Sequence, residues 1–164
     1  MFYSPGAKIN VRHIKAPLRG DKLLVGILVA EFNEYFTGKL LEGALDTLLR
    51  CGVKKRSIDV VHVPGSFEIP FFVKRLLRKR RYDAVITLGV VLKGGTRHHE
   101  QVSDAAARGT LEASLESDVP VIHGVVTAET KGQAVERLGG KLGHRGRQAA
   151  ETAVLAANLA RKLG

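Results

Sequence analysis

The side chains best suited to chemistry stand where short apolar runs end. The richest stretch is Gly89-Val90-Val91-Leu92-Lys93-Gly94-Gly95-Thr96-Arg97-His98, which follows the strand-like run Tyr82 to Leu88 and opens a helix-like run near His98. A strand that ends in glycines and opens a helix leaves backbone N–H groups unpaired at a positive dipole end, a setting that suits phosphate. His98, one residue past that cradle, can exchange protons near neutral pH. An anion cradle beside a proton shuttle points to chemistry on a small phosphorylated molecule. His98 and His99 are adjacent and point about 100° apart on a helix, so they do not chelate one metal, and no metal site is expected.

The elements that must position these groups are legible in the apolar pattern. Lys22 to Ala30 reads as a strand buried on both faces. Leu40, Leu41, Ala44, Leu45, Leu48 and Leu49 recur at helical spacing up to Cys51-Gly52. Ser57 to Val63 is a second strand, stopped by Pro64-Gly65, and Phe67 to Arg80 is a helix with Pro70 tolerated in its first turn or so. The third strand, Tyr82 to Leu88, precedes a helix from His98 to Glu116. Val119 to Val126 is the fourth strand, followed by helices over Thr130 to Leu138 and Arg147 to Leu163.

Four alternations of strand and helix predict an α/β fold: a three-layer α/β/α sandwich around a four-stranded parallel sheet in flavodoxin-like order. Ligands of such sheets bind beyond the carboxyl ends of the strands. Phe32, the Pro64-Gly65-Ser66-Phe67-Glu68 turn and the Gly94-Gly95-Thr96 turn all fall there, which predicts one shared pocket. Residues 1–21 form an N-terminal arm and 22–164 a single domain.

Bulk properties narrow the classes. With 164 residues, 45% of them hydrophobic, one proper core is expected. No apolar run approaches the roughly 20 residues of a membrane span, so no membrane partner is expected. Met1 to Asp21 has no apolar segment of the secretory type. The single cysteine, Cys51, fits a reducing cytoplasm. A net charge of +10 is carried partly by Lys74 to Arg81, where six of eight residues are basic, and partly by Lys8, Arg12, Lys15, Arg19 and Lys22 of the arm. With aromatics at 5% and no nucleic-acid motif, the 74–81 run is taken as a solvated helix face, and nucleic acid is not expected as a partner.

Five blocks together carry a specific resemblance. Ala30-Glu31-Phe32-Asn33, Val63-Pro64-Gly65-Ser66-Phe67-Glu68-Ile69-Pro70 and the Gly89 to His98 stretch resemble the signature turns of the 6,7-dimethyl-8-ribityllumazine synthases. Pro120 to Thr127 with Gln133 to Arg137, and Gly143-His144-Arg145-Gly146, match in order and spacing. The likeness runs from about Lys22 to the C-terminus.

That resemblance implies condensation of 5-amino-6-(D-ribitylamino)uracil with 3,4-dihydroxy-2-butanone 4-phosphate, releasing phosphate and water, with no metal or organic cofactor. It implies His98 as the acid/base residue, Gly95 and Thr96 around the phosphorylated butanone, and Arg137 on its phosphate. Phe32 would stack on the pyrimidine, Ser66, Phe67 and Glu68 would contact the ribityl chain and ring, and Val90, Val91 and Leu92 would line the pocket through backbone. Family sites lie between subunits of a pentamer, so His123 would serve a neighbour. In many members twelve pentamers close into an icosahedral capsid, and the compact Leu138 to Arg147 connection favours that 60-subunit shell over a decamer. Some relatives enclose a riboflavin synthase.

Three departures from the family pattern stand out. His123 replaces an aromatic, usually phenylalanine; His144 and Arg145 replace asparagine and lysine; and Ser66 replaces alanine. The first two leave room for an alternative: a catalytically weakened, shell-forming paralogue that packages anionic cargo.

Overall fold

The structure, a computed structural model, describes residues 11–164. The first ten residues of the expected arm lie outside them, and residues 11–24 form neither helix nor strand. This segment is nevertheless anchored: Asn158 Nδ2 donates to the carbonyls of Pro17 (2.9 Å) and Arg19 (2.8 Å), and the Gly20 N–H donates to Cys51 at 2.7 Å.

The chain then runs through β1 (Val25–Ala30), α1 (Glu34–Arg50), a 3-10 turn (Lys55–Ser57), β2 (Ile58–Val63), α2 (Ile69–Lys79), β3 (Ala84–Leu92) and α3 (His98–Ser117). β4 (Val121–Ala128), α4 (Lys131–Glu136), β5 (Leu138–Gly140), β6 (Gly143–His144) and α5 (Arg145–Leu163) complete it. The main sheet has the order β2-β1-β3-β4 with every pairing parallel, and helices cover both faces. This is the expected three-layer, flavodoxin-like arrangement.

Alternation along the strands divides the core. Val25, Ile27 and Val29 of β1 and Ile86, Leu88 and Val90 of β3 point to one face, where Leu40, Ala44 and Leu48 of α1 and the alanines of α5 cover them. Leu28, Ala30, Val85 and Val91 point to the other, against Ile69 and Val73 of α2 and Ala106 and Ala113 of α3. Two-sided burial explains why these strands read as nearly continuous apolar runs, Thr87 of β3 excepted. Small residues let α1 and α5 touch backbone to backbone: a Cβ on Gly146 would meet the Leu40 carbonyl oxygen.

Two local features differ from the sequence-based expectation. β3 continues to Leu92, four residues past Leu88, because β4 pairs with it throughout, ending at Leu92↔Ala128. Its Gly89 is not a turn residue; it makes room for Ser66, whose Oγ an added Cβ would strike. Between α4 and α5, the expected plain connection is an antiparallel β5–β6 hairpin, folded through Gly139 (φ 115°) and Gly143 (φ 81°) in backbone space that favours glycine.

Candidate active site

In the order β2-β1-β3 the chain steps outward from β1 and then crosses back, so the crevice beyond β1 and β3 is the switch point where open α/β sheets bind ligands. A cavity of about 430 Å³ lies there. Its walls include Phe32, Ser66, Phe67, Glu68, Val90, Val91, Leu92, Thr96 and His98, bringing together nine of the residues singled out from sequence. Gly95 sits between the lining residues Gly94 and Thr96. A Cβ on either glycine would touch nothing within 4 Å, so that backbone is left open for a ligand to approach.

Each side chain owes its place to a local feature. Phe32 follows β1 in a turn held by two backbone bonds, Glu31 N–H to Val63 O (2.8 Å) and Phe32 N–H to Pro64 O (3.1 Å). Its ring is 72% exposed, a bare apolar face able to cover a planar heterocycle. Glu68 occupies the N-cap of α2 yet makes no side-chain capping bond, which leaves its carboxylate free beside the cavity. Pro70 lies in the first turn of α2, where its missing N–H costs nothing. His98 is the first residue of α3, its N–H donating to Thr96 Oγ1 at 3.4 Å. His99 turns back, its Nδ1 3.0 Å from the Thr96 carbonyl oxygen.

Asn33 also lines the cavity. It adopts φ 63° and ψ 42° at the start of α1, and its Nδ2 donates to the Val90 carbonyl at 2.8 Å, tying the β1–α1 turn to β3. Its sequence signal was only that asparagine tolerates left-handed backbone better than other side chains do.

Arg137 and Arg145 are not in this cavity. They line a second one, about 210 Å³, with Val125, Val126 and Thr127 of β4. Arg137 is not on the α4 helix, which ends at Glu136; it is the residue that caps it, and its carbonyl accepts from the Arg145 N–H at 2.8 Å. The glycine hairpin thus folds the two arginines onto each other. His123 lies on β4, and its carbonyl oxygen accepts from Arg145 Nη2. Its Nδ1 is buried without a partner, and burial, then the Arg145 charge, pushes the imidazole pKa down.

The two cavities differ in charge. The first has no lysine or arginine among its described lining residues, and its one carboxylate is Glu68. The second has two guanidiniums and no carboxylate among its described lining residues. For a phosphate, the first offers the open backbone of the Gly94 to Thr96 turn and the second offers guanidinium charge.

Compared with known proteins, residues 22–161 match the family model described as 6,7-dimethyl-8-ribityllumazine synthase.

Proposed function

The chain belongs to the 6,7-dimethyl-8-ribityllumazine synthase family, transferases of riboflavin biosynthesis, and we propose that it condenses 5-amino-6-(D-ribitylamino)uracil with 3,4-dihydroxy-2-butanone 4-phosphate. The observation that carries this is the convergence of Phe32, Glu68 and His98, from three separate turns, on one cavity at the switch point.

Phe32 covers the pyrimidine, while Ser66, Phe67 and Glu68 meet the ribityl chain and ring edge. The Val90 to Leu92 backbone borders the ring, and Gly95 and Thr96 hold the ketone. His98 moves protons as the amine adds to the carbonyl, as phosphate leaves and as the second ring closes. Attack of an amine on a ketone held in contact needs mainly proximity and proton transfer, so holding both reactants supplies much of the rate.

The phosphate goes to Arg137 and Arg145, whose forked donors suit it. Since they line a different cavity of their own chain, the working site is composite. The uracil half of one subunit meets the arginine half of the next, with His123 at the join. Leu111 and Leu115 of α3, 60% and 72% exposed, offer apolar surface for such a neighbour. A pentamer repeats this contact around a ring, and the resemblance to shell-forming family members with a similarly compact connection supports closure into a 60-subunit shell. A cytoplasmic setting agrees with Cys51, whose thiol is pushed up in pKa by burial and is therefore poorly reactive.

The test is to mix purified protein with both substrates and follow lumazine fluorescence with phosphate release. Turnover of both in equal amounts supports this reading. Shell assembly without turnover would favour the cargo-packaging alternative.

A further inference from the structure

At the opposite end of the sheet, before the strands begin, two basic segments that are far apart in sequence come together. One cavity, about 760 Å³, lies between the C-terminal ends of α2 and α5, and among its described lining residues the five cations Arg78, Lys79, Arg80, Arg81 and Arg161 outnumber the side-chain carboxylates Asp83 and Asp118. A second, about 340 Å³, is lined by Arg19 and Lys22 of the N-terminal segment and again by Arg161. Arg161 is the bridge: its Nη2 donates to the Lys22 carbonyl (2.9 Å) and to Asp83 Oδ1 (2.7 Å). Beside it, Lys162 Nζ donates to the Lys15 carbonyl at 2.6 Å.

We propose that this band is a docking track for the phosphate backbone of a nucleic acid, bound without regard to base sequence. Internal pairing does not exhaust its charge. Arg80 is held by Asp59 at 2.8 Å, Arg161 by Asp83 and Arg19 loosely by Asp21 at 3.7 Å. Lys22, Arg78, Lys79 and Arg81 are exposed and have no ion-pair partner among the described residues. The helix dipole accounts for Arg78 and Lys79 in the last turn of α2. It does not account for Arg81, beyond the helix, or for Lys22, which reaches the same face from the other end of the chain.

A solvated helix face would be one stripe on one helix. Here the cations continue from α2 past the strand starts to the arm, an elongated array that suits a linear polyanion of regular charge spacing. Leu77, Val119 and Pro120 give the larger cavity an apolar floor against which sugars can lie. Exposed guanidiniums match phosphate oxygens. Among the described residues no exposed aromatic lines either cavity, so base stacking and sequence readout are not part of the proposal.

The assembled protein is titrated into fluorescein-labelled single-stranded RNA of about 20 nucleotides at several KCl concentrations, with anisotropy as the readout. Affinity should fall at least about tenfold between 50 and 200 mM salt. Arg78→Gln/Arg81→Gln should flatten the log–log salt slope by about 1.4, the value for two lost single-strand phosphate contacts, and Arg19→Gln/Lys22→Gln should also flatten it. Lys131→Gln/Lys141→Gln, the same charge change at exposed sites off the band, should leave the slope unchanged. Lumazine formation by the Arg78/Arg81 variant should match the parent, which separates lost docking from misfolding. No binding at 50 mM KCl overturns the proposal, as does an equal loss in the Lys131/Lys141 variant. Displacement of the RNA by polyglutamate of equal charge as readily as by unlabelled RNA also overturns it, in favour of an acidic protein partner.

Discussion

Asn33 Nδ2 donates to the carbonyl oxygen of Val90 at 2.8 Å, across the gap where the sheet changes direction between β1 and β3. One bond therefore sets the spacing between Phe32 and the backbone that would border the pyrimidine. It is made from φ 63°, a conformation that costs an ordinary L-residue about 1 kcal/mol or more.

Two substitutions separate the bond from the backbone. Asn33→Gly keeps left-handed freedom and loses the donor, so it should cost about 1 kcal/mol in urea unfolding and raise KM for the uracil substrate. Asn33→Ala loses both and should be less stable by roughly a further 1 kcal/mol. Equal stability of the two variants would show that the backbone at this position is not held left-handed.

His98 stands on the first turn of α3 at the cavity wall, exposed and free to reach a bound ligand. If the enzyme works chiefly by holding two reactants together, His98→Ala should slow the chemical step by about a hundredfold and leave substrate affinities nearly unchanged. Single-turnover fluorescence measures this directly. A loss above about ten-thousandfold would place more on the imidazole than acid/base help ordinarily supplies.

How much of this could be seen in the chain beforehand depended on whether local signals decided the outcome. The four parallel strands were legible because Val25 to Ala30 and Ala84 to Val90 are buried on both faces and so apolar but for Thr87, whose hydroxyl donates to the Ile122 carbonyl. The pocket followed because Phe32 lies two residues past β1, Glu68 caps α2 and His98 opens α3, each in a turn that the apolar pattern brackets. The extension of β3 was not legible: whether Gly89 ends a strand or accommodates Ser66 depends on a contact 23 residues back. The division of Arg137 and Arg145 from the cavity that holds Phe32 and His98 was equally hidden. It depends on a hairpin too short to carry a periodic pattern and on which side of β4 that hairpin folds. The same holds for the basic band, because neither run names the other.

His144 illustrates a role that composition could not reveal. Its Nδ1 accepts from the Arg147 N–H at 3.4 Å, capping α5, and its ring rests where Gly43 of α1 has no side chain. Burial, then Arg147, lowers its pKa, while its own backbone and Glu42 of α1 act in the opposite sense. The folded state thus prefers the neutral ring. Its contribution to stability is complete above the ordinary histidine value near 6.5 and is lost as the pH falls through the lower folded value. Between pH 7 and 5 the parent should lose stability relative to His144→Asn, which keeps a capping oxygen and does not titrate; the loss of a cap is worth about 1 kcal/mol. His123, lowered by burial and Arg145, leaves a residual slope in that variant. Parallel pH profiles for the two proteins would remove His144 from acid sensitivity.

Because His98 and Arg137 line different cavities of one chain, the composite site makes a prediction that a single-chain site cannot share. His98→Ala subunits lack the proton carrier but keep the arginine half; Arg137→Ala subunits have the reverse defect. In rings assembled from an equal mixture, each site draws its two halves from different chains, so about a quarter of the sites should be intact. Co-expressed and co-purified mixtures should therefore recover about a quarter of parental activity, well above either variant alone. Rings assembled separately and then combined without exchange should show only the average of the two variants. If both halves came from one chain, no mixed ring would contain an intact site and co-assembly would recover nothing. The outcome thus discriminates between a site shared across the interface and one confined to a subunit, and requires only that each variant alone fall well below a quarter of parental activity.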